Sequence, residues 1–186
     1  MFLSEVLLND ACSIGGNSMS KTFIIEAVML AVHGQLMLPS KPVTYLIPYT
    51  TIQELYELHT SPEPIMLEHE DDGFVKQMIG ELIVFFEESF NKKKIEKALS
   101  IPWGKSPPLP INEHVTLMVV YAIDNEAYGD QFDPIETELI LTAIREKAIL
   151  LTDQFDFIER LVESAIPVEA FDVEDFEFAV EGDNQV

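Results

Sequence analysis

Short apolar runs alternate along this chain with longer amphipathic stretches, and acidic or proline-bearing breaks separate them. Residues 5–9 (EVLLN) form a first apolar run that ends at Asp10, with glycines at 15 and 16 close behind, the pattern of a buried strand leaving a core. Residues 21–32 (KTFIIEAVMLAV) are long enough for a helix, place Phe23, Ala27, Leu30 and Ala31 at helical spacing, and stop at Gly34. Residues 43–49 (VTYLIPY) are rich in β-branched and aromatic side chains and predict a second strand, with Pro48 near its exit. A helix is predicted over 51–59, where Ile52, Leu55, Tyr56 and His59 share a face and Thr51 with Glu54 spells a capping box.

The middle of the chain is less regular. Residues 60–73 (TSPEPIMLEHEDDG) predict an acidic loop, and 74–99 carry a long helical pattern through Ile79, Leu82, Ile83 and Phe86. The prolines at 102, 107, 108 and 110 predict an irregular surface excursion over 100–112. Residues 115–123 (VTLMVVYAI) are apolar almost throughout, so periodicity cannot separate a buried helix from a buried strand; the expectation taken is helix.

Local signals strengthen again from Asp133. Asp133-Pro134-Ile135-Glu136 combines an Asp N-cap, a proline at the first helical position and an acid at the third, so a helix is predicted to about Lys147. Residues 148–152 (AILLT) predict a strand, Asp153 a further helix through Phe157, Ile158, Leu161 and Val162, and 166–171 (IPVEAF) a last strand. The acidic residues 172–186 are expected to form a tail that frays at its end. Strands interleaved with helices predict a three-layer α/β/α fold around a mostly parallel sheet of four to five strands.

Composition narrows the setting. The 186 residues are 47% hydrophobic, enough for a substantial core, and a lone cysteine, Cys12, rules out an internal disulfide framework and a CxxC metal clip. No apolar run approaches the ~20 residues of a membrane span. The first residues lack a basic leader segment, so a cytoplasmic, membrane-free protein is expected. The formal charge of −22 argues against general binding to phosphate backbones, which needs Lys and Arg. Five of the 11 basic residues, Lys92, Lys93, Lys94, Lys97 and Lys105, form the one basic concentration, explained most simply as solvated cations near a helix C-terminus. No His, Cys or glycine-rich motif for a nucleophile, a zinc site or a nucleotide phosphate is present.

Acids recur where strands meet helices. Asp10 follows the first predicted strand, Glu54 lies in the helix after the second, Glu136 in the helix before the third, and Asp153 directly after it. In open parallel sheets ligands collect outside the carboxyl ends of the strands. Carboxylates gathered there repel one another unless a hard cation such as Mg²⁺ or Mn²⁺ offsets their charge. Taken singly the same acids are ordinary caps: Glu54 with Thr51, Asp133 with Glu136, Asp153 with Asp156.

The order of these segments resembles the PIN (PilT N-terminus) domain nucleases. LLNDAC (7–12) resembles their opening strand and acid, IPYTTIQEL (47–55) their second strand and following Glu-Leu, and IETELILTAIREKAILLTD (135–153) their third motif, before a closing strand like IPVEAF. The resemblance implies a single PIN-like domain over 1–172, with an insertion or helical excursion around 60–112 and an acidic tail over 173–186. It also implies a metal-dependent endoribonuclease in which Asp10, Glu54, Glu136 and Asp153 bind Mg²⁺ or Mn²⁺ and activate water against RNA phosphodiesters. Asp133 and Glu138 compete with Glu136 for the third acid, Asp156 with Asp153 for the fourth, and Thr152 is a further phosphate or metal-water contact. Many such relatives are toxins paired with antitoxins, so an antitoxin-like protein partner is expected, and a homodimer is left open. The alternative from a different class is a non-catalytic acidic α/β module that binds a basic protein partner, which the charge of −22 motivates.

Overall fold

The computed structural model describes residues 20–123 and 128–182; the run at 5–9, Asp10 and Cys12 lie outside the described residues. The fold is α/β, with one mostly parallel sheet and helices on both of its faces. Among the described residues its strands are β1 (Lys21–Ile24), β2 (Val43–Pro48), β3 (Leu109–Pro110), β4 (Val115–Val120), β5 (Ile149–Leu151) and β6 (Ala170–Phe171). They lie in the order β3-β4-β2-β1-β5-β6. Every neighbouring pair is parallel except β3 with β4.

The helices are α1 (Met29–Val32), α2 (Tyr49–Thr60), α3 (His69–Glu87), α4 (Ser89–Ala98), α5 (Pro134–Glu146), α6 (Phe155–Glu163) and α7 (Val173–Glu181). Alternate strand residues supply two cores, as the pleat requires. Phe23, Tyr45, Ile47, Leu117 and Val119 pack with α1 to α4 and α7 on one face. Ile24, Leu46, Val120 and Leu150 pack with α5 and α6 on the other.

Several expectations are corrected. Residues 21–32 are not one helix: Lys21–Ile24 form the central strand, and only Met29–Val32 are helical. Residues 115–123 hold strand β4 rather than a helix. Both strands are covered on two faces, which removes the polar alternation that marks a half-buried strand. Their β-branched and aromatic side chains then decide the conformation. The sheet also exceeds four to five strands, because the proline-rich excursion contributes β3, paired antiparallel to β4.

The helix expected over 74–99 breaks at Glu88, whose extended ψ of 132° separates α3 from α4. Neither proline nor glycine marks that break. The acidic stretch after Phe171 does not fray at once. Asp172 and Asp175 form a reciprocal capping box that starts α7. Phe176 from that helix is buried, with its ring 5.1 Å from Phe23 and 6.1 Å from Tyr45.

Phe176→Ala therefore should lower stability by about 3 kcal/mol or more, the usual result of emptying a buried aromatic site. Urea unfolding measures it. An unchanged midpoint would show that α7 is not part of the core.

Candidate functional site

Because β1, β2 and β5 run parallel, the segments that follow them emerge at the same edge of the sheet. Glu26 comes two residues after β1, Glu54 lies in α2 directly after β2, and Asp153 comes two residues after β5. The chain enters α5 with Asp133 as N-cap, and the charges of Asp133 and Glu136 both reach Glu26. These five acids thus form one electrostatic group.

Thr51 ties two of the strand exits together. Its buried hydroxyl donates to the Pro48 carbonyl at 2.9 Å and accepts from the Ala27 amide at 3.1 Å. The capping box expected from Thr51 and Glu54 is absent. Helix α2 starts at Tyr49 after Pro48, with no side-chain cap, so Thr51 is already in its first turn. Glu54 is therefore not engaged as a cap residue.

The group's charges are unevenly offset. Burial first, and then the charges of Glu54, Asp153, Asp133 and Glu136, push the Glu26 carboxyl up from 4.5 to about 7. Burial, followed by the charges of Asp133, Glu57 and Glu138, also raises Glu54 above the usual carboxylate range. Asp153 moves the other way. Its hydrogen bond with His33 lowers it in spite of burial.

The bond joins His33 Nε2 to Asp153 Oδ2 at 2.7 Å, and an ionised carboxylate only accepts, so the imidazole N–H is the donor. Gln154 holds the neighbouring acid, its Nε2 donating to Glu26 Oε1 at 3.0 Å. Each of these two carboxylates has one oxygen engaged by a side-chain donor. Asp153 is not the cap of α6 that its pairing with Asp156 suggested; the N-cap is Gln154, with no side-chain cap bond.

The remaining expected site residues have distinct places. Glu136 is buried and committed. Its carboxylate completes the capping box with Asp133 and takes both terminal nitrogens of Arg160, Nη1 at 2.8 Å. The Arg160 guanidinium lies 5.1 Å from the Phe132 ring centroid and 5.8 Å from that of Phe157. Glu138 is buried and accepts the Thr50 hydroxyl. Thr152 is buried, with Oγ1 accepting from the Gln154 amide at 3.2 Å. Asp156 is exposed in the first turn of α6. Asp10 lies outside the described residues.

An all-carboxylate donor set has the chemistry that hard divalent cations select. Glu26, Glu54 and Asp153 fit it by donor type, and Glu26 and Glu54 also by the negative charge around them. Among the described residues no group of three or more His, Cys, Asp or Glu side chains stands ready-made in metal-holding geometry.

No protein-family model matches the chain, and no match was found among curated proteins.

Glu26, His33, Gln154 and Arg160 were not singled out from the sequence as members of this site. A signal for Glu26 was present: TFII followed by Glu repeats the pattern of ILLT followed by Asp at 149–153. It was hidden inside the run assigned to a helix. His33, Gln154 and Arg160 reach the acids only through tertiary contacts.

Burial, and with it the crowding of charge, at Glu26 has a direct consequence for stability. Between pH 4.5 and about 7 the folded state keeps a proton that the unfolded chain has released, so stability falls as pH rises through that window and stays lower above it. Glu26→Gln removes the effect. Relative to the native protein, the variant should gain up to about 3 kcal/mol at about pH 8 and little near pH 4, by urea unfolding in EDTA. A gain that does not depend on pH would contradict the crowding.

Proposed function

We propose that this chain is a PIN-like, Mg²⁺- or Mn²⁺-dependent ribonuclease in which Glu26, Glu54 and Asp153 hold the ion. The observation that supports the reading is the placement of these acids on segments that leave three parallel strands at one sheet edge, within electrostatic reach of Glu26. Glu26 takes the part that the resemblance gives to the first acid, since it follows the central strand.

When bound, the ion supplies an activated water and stabilises charge on the phosphoryl oxygens. The chain's own groups orient its ligands. His33 fixes one oxygen of Asp153, Gln154 fixes one of Glu26, and Thr51 holds together the exits that carry Glu26 and Glu54. Thr50 restrains Glu138, which contributes to the field at Glu54. Glu136, engaged with Arg160 and the Asp133 cap, serves best as the residue that fixes the start of α5.

A second reading is an acidic module for a basic protein partner. The raised Glu26 carboxyl and the charge of −22 favour it, because a partner's Lys or Arg relieves the same repulsion.

The test is Mn²⁺-dependent cleavage of single-stranded and structured RNA. Glu26→Gln and Asp153→Asn should each lower cleavage by about a hundredfold or more, as loss of a metal ligand does, while Asp10→Asn retains it. Cleavage lost only in Asp10→Asn would return the first-acid role to Asp10. Equal cleavage in all variants, or none in the native protein, would discard the ribonuclease reading.

A further inference from the structure

We propose that α4 presents a docking strip for single-stranded RNA, built from Phe90, Lys93, Lys94 and Lys97. The proposal rests on the ribonuclease reading and answers a difficulty that reading creates, since a chain of charge −22 needs a place that attracts a polyanion.

Positions 90, 93, 94 and 97 follow helical 3-and-4 spacing and therefore share one face of α4. The opposite face, Asn91, Ile95 and Ala98, is buried against the protein. Phe90 is 70% exposed, so its ring is available to another molecule. Lys94 Nζ lies 4.5 Å from that ring's centroid and also donates to the Pro108 carbonyl, which places the strip beside β3 at the rim of the sheet.

Several other cations are already engaged by carboxylates. Lys92 pairs with Glu87 at 2.6 Å, Lys105 with Glu146 at 2.7 Å, and Arg160 with Glu136. Lys93 and Lys97 are exposed and make no ion pair among the described residues. Glu96, also on α4, lies one turn from Lys92, with which it interacts, and so flanks the strip on the Lys92 side.

Helix-dipole compensation does not explain this arrangement. In an unbroken helix over 74–99 these lysines would all approach the C-terminus. The break at Glu88 instead puts Phe90, Lys93 and Lys94 in the first two turns of α4, and only Lys97 in the last. Cations near a helix N-terminus are disfavoured by the dipole. An exposed ring on the same helix face as the unpaired Lys93 and Lys97 is what a single strand requires: a base stacks on the aromatic ring, and the two lysines neutralise successive phosphates.

Fluorescence anisotropy with a short fluorescein-labelled oligouridine, on the full chain in EDTA, reads binding without cleavage. Lys93→Glu/Lys97→Glu should weaken binding about tenfold or more at low salt. The milder Lys93→Gln/Lys97→Gln pair should weaken it less and flatten the log–log salt slope by about 1.4, the loss of two phosphate contacts. Phe90→Ala should cost about tenfold and leave the slope unchanged. All these side chains are exposed, and circular dichroism confirms that each variant is folded.

Native-like binding by Lys93→Glu/Lys97→Glu, or no binding by the native protein at low salt, would overturn the strip. If that variant binds normally while Glu26→Gln abolishes Mn²⁺-dependent cleavage, the strip falls and the ribonuclease reading stands. If the lysine variants lose binding while the native protein cleaves no RNA, the ribonuclease reading falls and the strip stands.

Discussion

Like charges are held together where β1, β2 and β5 end, and the functional geometry of this protein depends on how that repulsion is offset. Parallel strands leave little choice about location, because all their exits share an edge. What varies is the company each acid keeps. Asp153 has His33 and is stabilised as a carboxylate, whereas Glu26 has only an amide from Gln154 against four neighbouring charges. The result is an edge whose acids carry their charge unequally.

The surrounding structure resists that repulsion through contacts made by neutral groups. Thr51 satisfies the Pro48 carbonyl and the Ala27 amide with one hydroxyl, so the exits of β1 and β2 cannot separate without stranding buried polar groups. On the other face, Arg160 neutralises Glu136 while lying against Phe132 and Phe157. That pair, together with the Asp133 capping box, anchors the start of α5. Glu136 is the buried member of that pair, so removing Arg160 would leave its carboxylate without its cation.

Much of the alternation of strands and helices was legible because turn chemistry is local. Asp133-Pro134-Ile135-Glu136 announced a helix start, and the capping box is present. β2 and β5 were found from β-branched runs bounded by breaks. The central strand β1 and its neighbour-but-one β4 were read as helices, because burial on two faces erases the period that distinguishes them. Misplacing β1 concealed Glu26, whereas Glu54 and Asp153 were named from local sequence alone. α7 was missed for a different reason: its two buried residues, Phe176 and Val180, are surrounded by acids that resemble a solvated tail. The bonds from His33, Gln154 and Arg160 link residues distant in sequence, so no local pattern announces them.

A site of this kind is tested most directly by finding the cation. In crystals soaked with Mn²⁺, the anomalous difference map should show a peak bounded by carboxylate oxygens of Glu26, Glu54 and Asp153, at distances of about 2.0–2.3 Å, with the Glu136 and Arg160 pair intact. A fully soaked crystal with no peak at that edge, or with manganese held only by acids elsewhere, would contradict it.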